Sequence, residues 1–398
     1  MNIELPNMMQ LRTFTKVVDH GSVSGASKAM LRTQSVVTRS IQALEGRLGV
    51  SLFERHPGGM LLTSYGKCIL PRVQRVMAEL GTVATVVRHA RDARSEHPYL
   101  LNTRRLEIFI KLCETQHMQT VANFFRISQP AISSVVKVLE TGTGSVLFDR
   151  TAKGLKPTRM ALDILMPIRR ALNDVRRIDS DVSAHDGSLQ GTVCIGALPL
   201  GRTRILPRAI AELLSKHPGI RVVTNESPFD MLAVELRAGD LDFIFGALRP
   251  ASYASDLTGE KLLTEEIVVL AGPDHPLLGK TLEIEDLKHA QWILPRALSP
   301  ARQLFEGNFN RARCELPVAV VETGDLAIIR GLLMRSHMLA VVSEHQLEHE
   351  ISSSHLVGLS VKLTDTSRPI GLICRVNGLH SPAADALMAM IRTTVGEF

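Results

Sequence analysis

Two stretches of the chain carry side chains suited to reading a polar surface. Residues 33–45 run TQSVVTRSIQALE and residues 128–140 run SQPAISSVVKVLE. In each, apolar residues recur at helical spacing, Val37, Ile41 and Leu44 in the first, Ile132, Val136 and Leu139 in the second, which predicts one buried stripe per helix. The opposite face of the first holds Gln34, Ser35, Thr38, Arg39 and Gln42; the second holds Gln129, Pro130, Ser133, Ser134 and Lys137. Amides, hydroxyls and a single cation on a helix surface suit base edges and phosphates in a major groove. Thr33 and Ser128 are natural N-caps, and Pro130 falls in the first turn, where its missing N–H costs nothing.

Other chemistry is sparse. His345 and His349 stand four apart beside Glu344 and Glu348, a spacing that could grip a metal, yet no H-E-x-x-H motif or third ligand accompanies them, so an exposed charged helix is expected. Gly142-Thr143-Gly144 lacks the third glycine of a nucleotide loop and reads as a helix stop. There is no G-x-S-x-G elbow and no P-loop. Five scattered cysteines without a C-x-x-C predict neither a disulfide framework nor a zinc knuckle, and point to a reducing compartment. No metal or cofactor is expected, and no catalytic residue.

The elements that must position these faces follow from length and charge. At 398 residues the chain exceeds a single core. Residues 1–187 hold 26 Lys and Arg against 16 Asp and Glu, and the remainder 20 against 24; the basic half is the candidate polyanion binder. No leader-like start or long apolar span is present, so neither export nor membrane insertion is expected and a cytoplasmic location is. In the first half, three short helices and a β-ribbon at residues 55–63 predict a winged helix-turn-helix with Arg55 and His56 on the wing. A long helix follows, its seam Ile69, Val73, Val76, Leu80, Val83 and Val87 in 4-3-4-3-4 spacing, as in a coiled coil.

A shift of 95 then superimposes the chain on itself without a gap. Leu11, Phe14, Lys16, Gln34, Leu44, Glu45, Gly49, Leu52, Phe53, Arg55, Gly59 and Thr63 fall on identical residues from Leu106 to Thr158, and Val73, Leu80, Val83 and Val87 fall on Ile168, Val175, Ile178 and Val182. The repeated unit is a winged helix with its stem, joined by residues 91–101; the second wing would offer Arg150, Lys153 and Lys156. The two stems could pair within one chain or between chains.

Gln34 with Thr38-Arg39, Leu44-Glu45, Gly49, Leu52-Phe53, Arg55 and Thr63 resembles the DNA-binding domain of LysR-type transcriptional regulators, and the second copy resembles it too. The family normally has one such domain. Copy one carries Ser35 where the family prefers proline; copy two keeps Pro130 but has Ser134 for Arg39 and Thr143 for Leu48, an apolar anchor lost, which predicts a weaker or less specific second copy. The rest resembles the family's effector-binding domain, with Gly196-Ala197-Leu198-Pro199, Met338-Leu339-Ala340-Val341, Ser367-Arg368-Pro369 and Leu379-His380-Ser381-Pro382 similar to the galactose-binding-protein regulator branch.

The expected architecture is multidomain α plus α/β: winged helices at 9–66 and 104–161, linker helices at 67–95 and 162–186, and an effector domain at 191–398. In the last, strand candidates at 192–196, 221–225, 241–246, 266–271, 292–294, 319–321, 339–342 and 370–375 alternate with helices. The resemblance implies a two-lobed periplasmic-binding-protein fold, one lobe about 191–266 with 366–398, the other about 267–365. Strand-to-helix junctions nominate Pro199, Leu200, Gly201, Arg202 and Thr203, then Ser227 and Phe229, then Ser299 and Arg302, with Thr323 closing the site. The implied partners are promoter DNA, a sugar or organic acid as effector, a second copy or a tetramer, and RNA polymerase. Two other readings stand beside this one: an architectural DNA-binding protein without a ligand, and an enzyme acting on the ligand of the acidic half.

Overall fold

The computed structural model describes residues 5–57, 59–88, 97–152 and 154–397. Lys153, most of the joint at 91–101 and the expected end of the first linker helix at 95 lie outside the described residues. Apart from two short segments, the chain divides at Gly191 into two compact units.

The first unit repeats one pattern. Helices α1 (Met8–His20), α2 (Val23–Ala29) and α3 (Gln34–Leu48), a ribbon of β1 (Phe53–His56) and β2 (Gly59–Leu62), and the long α4 (Ser64–Arg88) are followed by α5 (Thr103–Thr115), α6 (Met118–Phe125), α7 (Gln129–Thr143), β3 (Phe148–Thr151), β4 (Gly154–Pro157) and α8 (Arg159–His185). The identical residues explain why. Glu45 Oε1 accepts from the N–H groups of Leu52 (2.7 Å) and Phe53 (3.2 Å), and Glu140 Oε1 from those of Leu147 (2.8 Å) and Phe148 (3.4 Å), so one carboxylate ties the recognition helix to the start of each ribbon. Thr63 Oγ1 donates to Ser51 and Thr158 Oγ1 to Val146. Gly59 (φ +133°) and Gly154 (φ +125°) bring the ribbon against the carbonyls of Gly21 and Gln116, each of which would lie within 2.5 Å of an added Cβ; only glycine fits there.

Helices α4 and α8 lie antiparallel in this unit, and their seams share one core: Ile69, Val73, Val76, Val83, Ile164, Ile168, Ala171, Val175 and Ile178 are all fully buried. Charges are buried with them. Arg72 is 1% exposed, bonding Asp181 through Nε and Nη2 and Asp174 through Nη1 at 3.2 Å. Arg75 Nε reaches Asp174 at 3.1 Å, and Arg170 Nε reaches Glu79 at 2.7 Å.

The lost anchor at Thr143 is compensated. Thr143 is buried and its hydroxyl donates to the Leu139 carbonyl at 2.9 Å, while the neighbouring Gly142 receives the Tyr99 ring, 2.3 Å from where a Cβ would stand. The Pro98–Leu100 turn thus packs on the end of α7. Thr33 differs from expectation: it stands at the N-cap of α3 but its side chain makes no capping bond, its hydroxyl pairing instead with that of Ser35 at 3.0 Å. Ser128 does cap α7.

The second unit is a mixed sheet wrapped by helices. Its elements are β5 (Gly191–Ala197), α9 (Ile205–Lys216), β6 (Ile220–Asn225), α10 (Phe229–Ala238), β7 (Phe243–Ala247), β8 (Leu257–Ala271), β9 (Thr281–Leu282), β10 (Trp292–Leu294), α11 (Pro300–Ala312), β11 (Ala319–Glu322), α12 (Leu326–Leu333), β12 (Leu339–Ser343), α13 (Glu348–Ser352), β13 (Val357–Gly358), β14 (Ser360–Val361), β15 (Ser367–Arg375) and α14 (Pro382–Gly396). Strands run β11-β10-β12-β8-β15-β7-β5-β6, with β13 also on β8. The first half of β8 pairs with β15 and its second half with β12, so this strand serves both ends of the sheet. Its first half is polar and exposed, which is why an apolar-run criterion begins it at 266 rather than 257. No described helix is long and apolar enough to cross a membrane.

Candidate functional site

On α3, Val37, Ile41 and Leu44 are buried, and Gln34, Ser35, Arg39 and Gln42 are exposed on the other side, with Thr38 half-buried. On α7, Ile132, Val136 and Leu139 are buried, and Gln129, Pro130, Ser134 and Lys137 are exposed. Ser133 is half-buried, as its counterpart Thr38 is, and its hydroxyl lies 3.5 Å from Met118 Sδ, linking α7 to α6. On the ribbons Arg55, His56, Arg150 and Lys156 are exposed. Lys156 stands across the ribbon from Asp149, whereas Glu54 faces Leu61, so the second wing carries a carboxylate opposite its cation.

The turn before each recognition helix adds residues that spacing alone did not nominate. Arg32 and Arg126 are exposed there, and the residue opening each turn, Leu31 or Arg126, adopts a left-handed conformation (φ +51° and +54°). A cation in the turn directly ahead of a polar helix face was the available signal.

Internal identity separates scaffold from surface. Of the identical exposed or half-exposed positions, Lys16 and Lys111 each hold an acidic neighbour three residues on. Gln34 with Gln129, and Arg55 with Arg150, are exposed at equivalent places on helix and wing, and the 3.5 Å contact of Gln34 with Ser24 Oγ has no identical counterpart, residue 119 being Gln.

In the second unit, three of the four nominated junctions come together. Arg202 Nη2 donates to the Gly324 carbonyl at 3.3 Å, Gly324 stands against Pro199, and the Ala297 N–H points to Glu322 Oε2 at 3.4 Å. Several side chains there are structural. Leu200 and Gly201 are buried, Gly201 under the Phe245 ring. Ser299 caps α11 by accepting from the Arg302 N–H, and Arg302 is held by Glu306 and by the Pro317 carbonyl at 3.3 Å. These contacts brace it within its own lobe, and its Nη1 is buried without a hydrogen-bond partner among the described residues. Thr323 Oγ1 accepts from the Asp325 N–H at 3.0 Å, whose carboxylate in turn caps α12. Ser227 does not cap α10: the first helical bonds begin at the Pro228 carbonyl. Phe229 is buried against Tyr253, with the Arg249 guanidinium 4.2 Å above its ring.

A buried polar group lies where β8, β12 and β15 meet. Arg368, 9% exposed, donates through Nη2 to Ser343 Oγ, and burial pushes its guanidinium down to about 10. Glu265, 5% exposed, holds His345 Nδ1 at 3.0 Å, and burial raises its carboxyl above the usual range. Among the described residues Arg368 Nε and Glu265 Oε2 have no hydrogen-bond partner, an arrangement expected of groups that await a ligand or water. Both residues lie just outside the strands expected at 266–271 and 370–375 and inside the observed ones, so no spacing signal marks them. His345 is therefore spent on Glu265, and among the described residues no group of three His, Cys, Asp or Glu could hold a metal.

Comparison with known proteins bears on both units. The profile of the LysR substrate binding domain matches residues 186–396, and that of the bacterial regulatory helix-turn-helix protein, lysR family, matches residues 8–67 and again 103–162. The HTH-type transcriptional regulator GalR of Pseudomonas putida is 57% identical over 397 residues, spanning 100% of this chain and 99% of that protein. PcaQ of Agrobacterium fabrum, also an HTH-type transcriptional regulator, is 28% identical over 74% of this chain and 95% of its own length. Full-length CbnR complexed with target DNA shares the fold, with TM-score 0.54 and 22% identity over 74% of this chain and 99% of that one.

Proposed function

This chain belongs to the LysR family of bacterial transcriptional regulators, and we propose that it reads promoter DNA with both of its helix-turn-helix units, as tandem winged helices. The repetition of exposed Gln34 and Arg55 as Gln129 and Arg150 carries this reading: side chains exposed on helix and wing, with Gln34 making one long contact to Ser24 Oγ at 3.5 Å, are repeated for what they contact outside. Helices α3 and α7 enter adjacent major grooves, with Arg39 and Lys137 near base edges or phosphates and the wings on the backbone. Each phosphate cation lost should weaken binding at every sequence and flatten the salt dependence by about one counterion.

The C-terminal unit binds an effector, a sugar or small organic acid, in a cleft between two lobes of a periplasmic-binding-protein-like fold. The turn at 199–203, the loop at 322–325 and the buried group of Glu265, Ser343 and Arg368 line it, and ligand binding there changes the grip on DNA. Its setting is the cytoplasm, as a homo-oligomer. Two experiments test the two halves. Gel retardation on the DNA upstream of its own gene should fail when Gln34→Ala and Gln129→Ala are combined. A thermal-shift screen of sugars and organic acids should find a stabilising ligand for the native chain and none for Arg368→Gln; a chain that no small molecule stabilises but that still binds DNA is the architectural alternative.

A further inference from the structure

We propose that the charges buried between α4 and α8 make these two stems specific partners of each other, so that a single chain carries a complete and unequal pair of DNA-reading heads. The proposal rests on the reading of both units as DNA-binding, and it concerns how they are paired.

The two halves of the first unit are related by an approximate two-fold axis. Arg75 pairs with Asp174 and Arg170 with Glu79, and because Arg170 and Asp174 are the 95-shifted counterparts of Arg75 and Glu79, these are one contact made twice. At the axis, counterparts touch each other: the Met8 N–H donates to Thr103 Oγ1 at 3.1 Å. Residue i meeting j while the copy of i meets the copy of j is the signature of an isologous interface, normally made by two identical subunits.

One contact breaks the symmetry. Arg72 bonds Asp181 and Asp174, but the counterpart of Arg72 is Pro167 and that of Asp181 is Val86. In the observed pairing three guanidinium groups, Arg72, Arg75 and Arg170, face three carboxylates, Glu79, Asp174 and Asp181. Two copies of α4 meeting in the same register would set four guanidinium groups, the two of Arg72 buried and the two of Arg75 half-buried, against two carboxylates, with each Arg72 set against Val86. Two copies of α8 would bury four carboxylates against two guanidinium groups, with Asp181 against Pro167. Leaving a buried charge without its partner is strongly destabilising, so like-with-like pairing is rejected while the mixed pair is kept, the logic by which interfaces exclude wrong partners. Covalent connection then favours the α8 of the same chain, by raising its effective concentration to about the millimolar range.

The consequence is an operator of two unequal halves. Because α3 presents Arg39 and Gln42 where α7 presents Ser134 and Lys137, the preferred DNA is an imperfect inverted repeat occupied by one chain in one direction.

Exchange of the charges tests this. Arg72→Glu and Asp181→Arg are each expected to lower affinity for a duplex spanning the region upstream of the chain's own gene by on the order of a hundredfold. Both changes in one chain should recover part of the loss, Asp174 still standing beside position 72, while the two single variants refolded together should recover none. Recovery in the mixture would overturn the proposal, because only stems exchanged between chains can be repaired that way; no recovery in the double variant, with its circular dichroism intact, would overturn it by showing that these charges do not choose the partner. A second measurement needs neither variant nor DNA. Isotopically heavy and light wild-type chains are refolded together and cross-linked between carboxylates with a dihydrazide. Links from Glu79 to the acidic residues of α8 are expected within heavy or within light chains, and mixed links at statistical frequency would refute the pairing even if both heads bind DNA.

Discussion

Where the first reading helix carries Arg39, the second carries Ser134; where the first carries Gln42, the second carries Lys137. Each therefore keeps one exposed cation, displaced by nearly a turn along its helix. Beneath that difference the supports are the same atom for atom: Glu45 and Glu140 on the ribbon amides, Gly59 and Gly154 against the carbonyl that ends the first helix, Gly49 and Gly144 as left-handed stops. The comparison teaches which residues hold a reading head and which give it an opinion. A support tolerates no change because its neighbours are backbone groups with one geometry. The surface residues differ between the copies, and the stems differ in a third way, being complementary rather than alike.

The largest effect should separate the stems. Arg72→Ala leaves Asp181 in the core without its guanidinium partner, while Asp174 keeps Arg75, and should cost about 3–5 kcal/mol in urea unfolding, whereas Pro167→Ala, at the equivalent position, removes a helix-interior proline and should be neutral or stabilising. Equal losses would mean that the asymmetry at this position has no energetic content. Next come the shared supports. Glu45→Ala and Glu140→Ala each leave two strand amides without their acceptor, about 1–3 kcal/mol apiece, and the two values should agree; a large gap would show that one copy is held by something other than this carboxylate. Smaller again is Phe124→Ala. Phe124 is 64% exposed, lies 5.0 Å from Lys111 Nζ, and replaces Ala29 of the first copy, so its removal should cost about 0.5–1 kcal/mol without altering DNA affinity. The smallest effect is chemical: burial pushes the Cys113 thiol of the second copy up to about 12, so at pH 8 it should be alkylated more slowly in the folded chain than in urea.

Much of this was legible in the sequence, and the failures have a pattern. The seams of α4 and α8 and the cores of the recognition helices follow from period alone, because burial of one face is a local property of a helix. The repeat supplied the supports, since Glu45 and Gly59 recur as Glu140 and Gly154 without any need to know what they touch. What spacing cannot supply is the partner of a side chain. Arg302 sits at a helix start, and Glu306 and a carbonyl engage it while its Nη1 is left over; Ser133 lies on the expected face and also meets Met118; Thr143 is buried beside Gly142, on which Tyr99 packs. Glu265 and Arg368 are illegible for the converse reason. They interrupt strands, and only the meeting of β8, β12 and β15 shows that both are buried with groups left to bond.

The central claim is that two unequal heads on one chain each read DNA. Footprinting on the region upstream of the chain's own gene, comparing the native protein with Arg39→Ala and Lys137→Ala, tests it most directly. The account predicts two protected half-sites, each weakened by a different substitution, with a loss of about 1–3 kcal/mol where a base contact is removed. Protection that responds to Arg39→Ala and ignores Lys137→Ala would contradict it, leaving the second copy as a structural partner to the first.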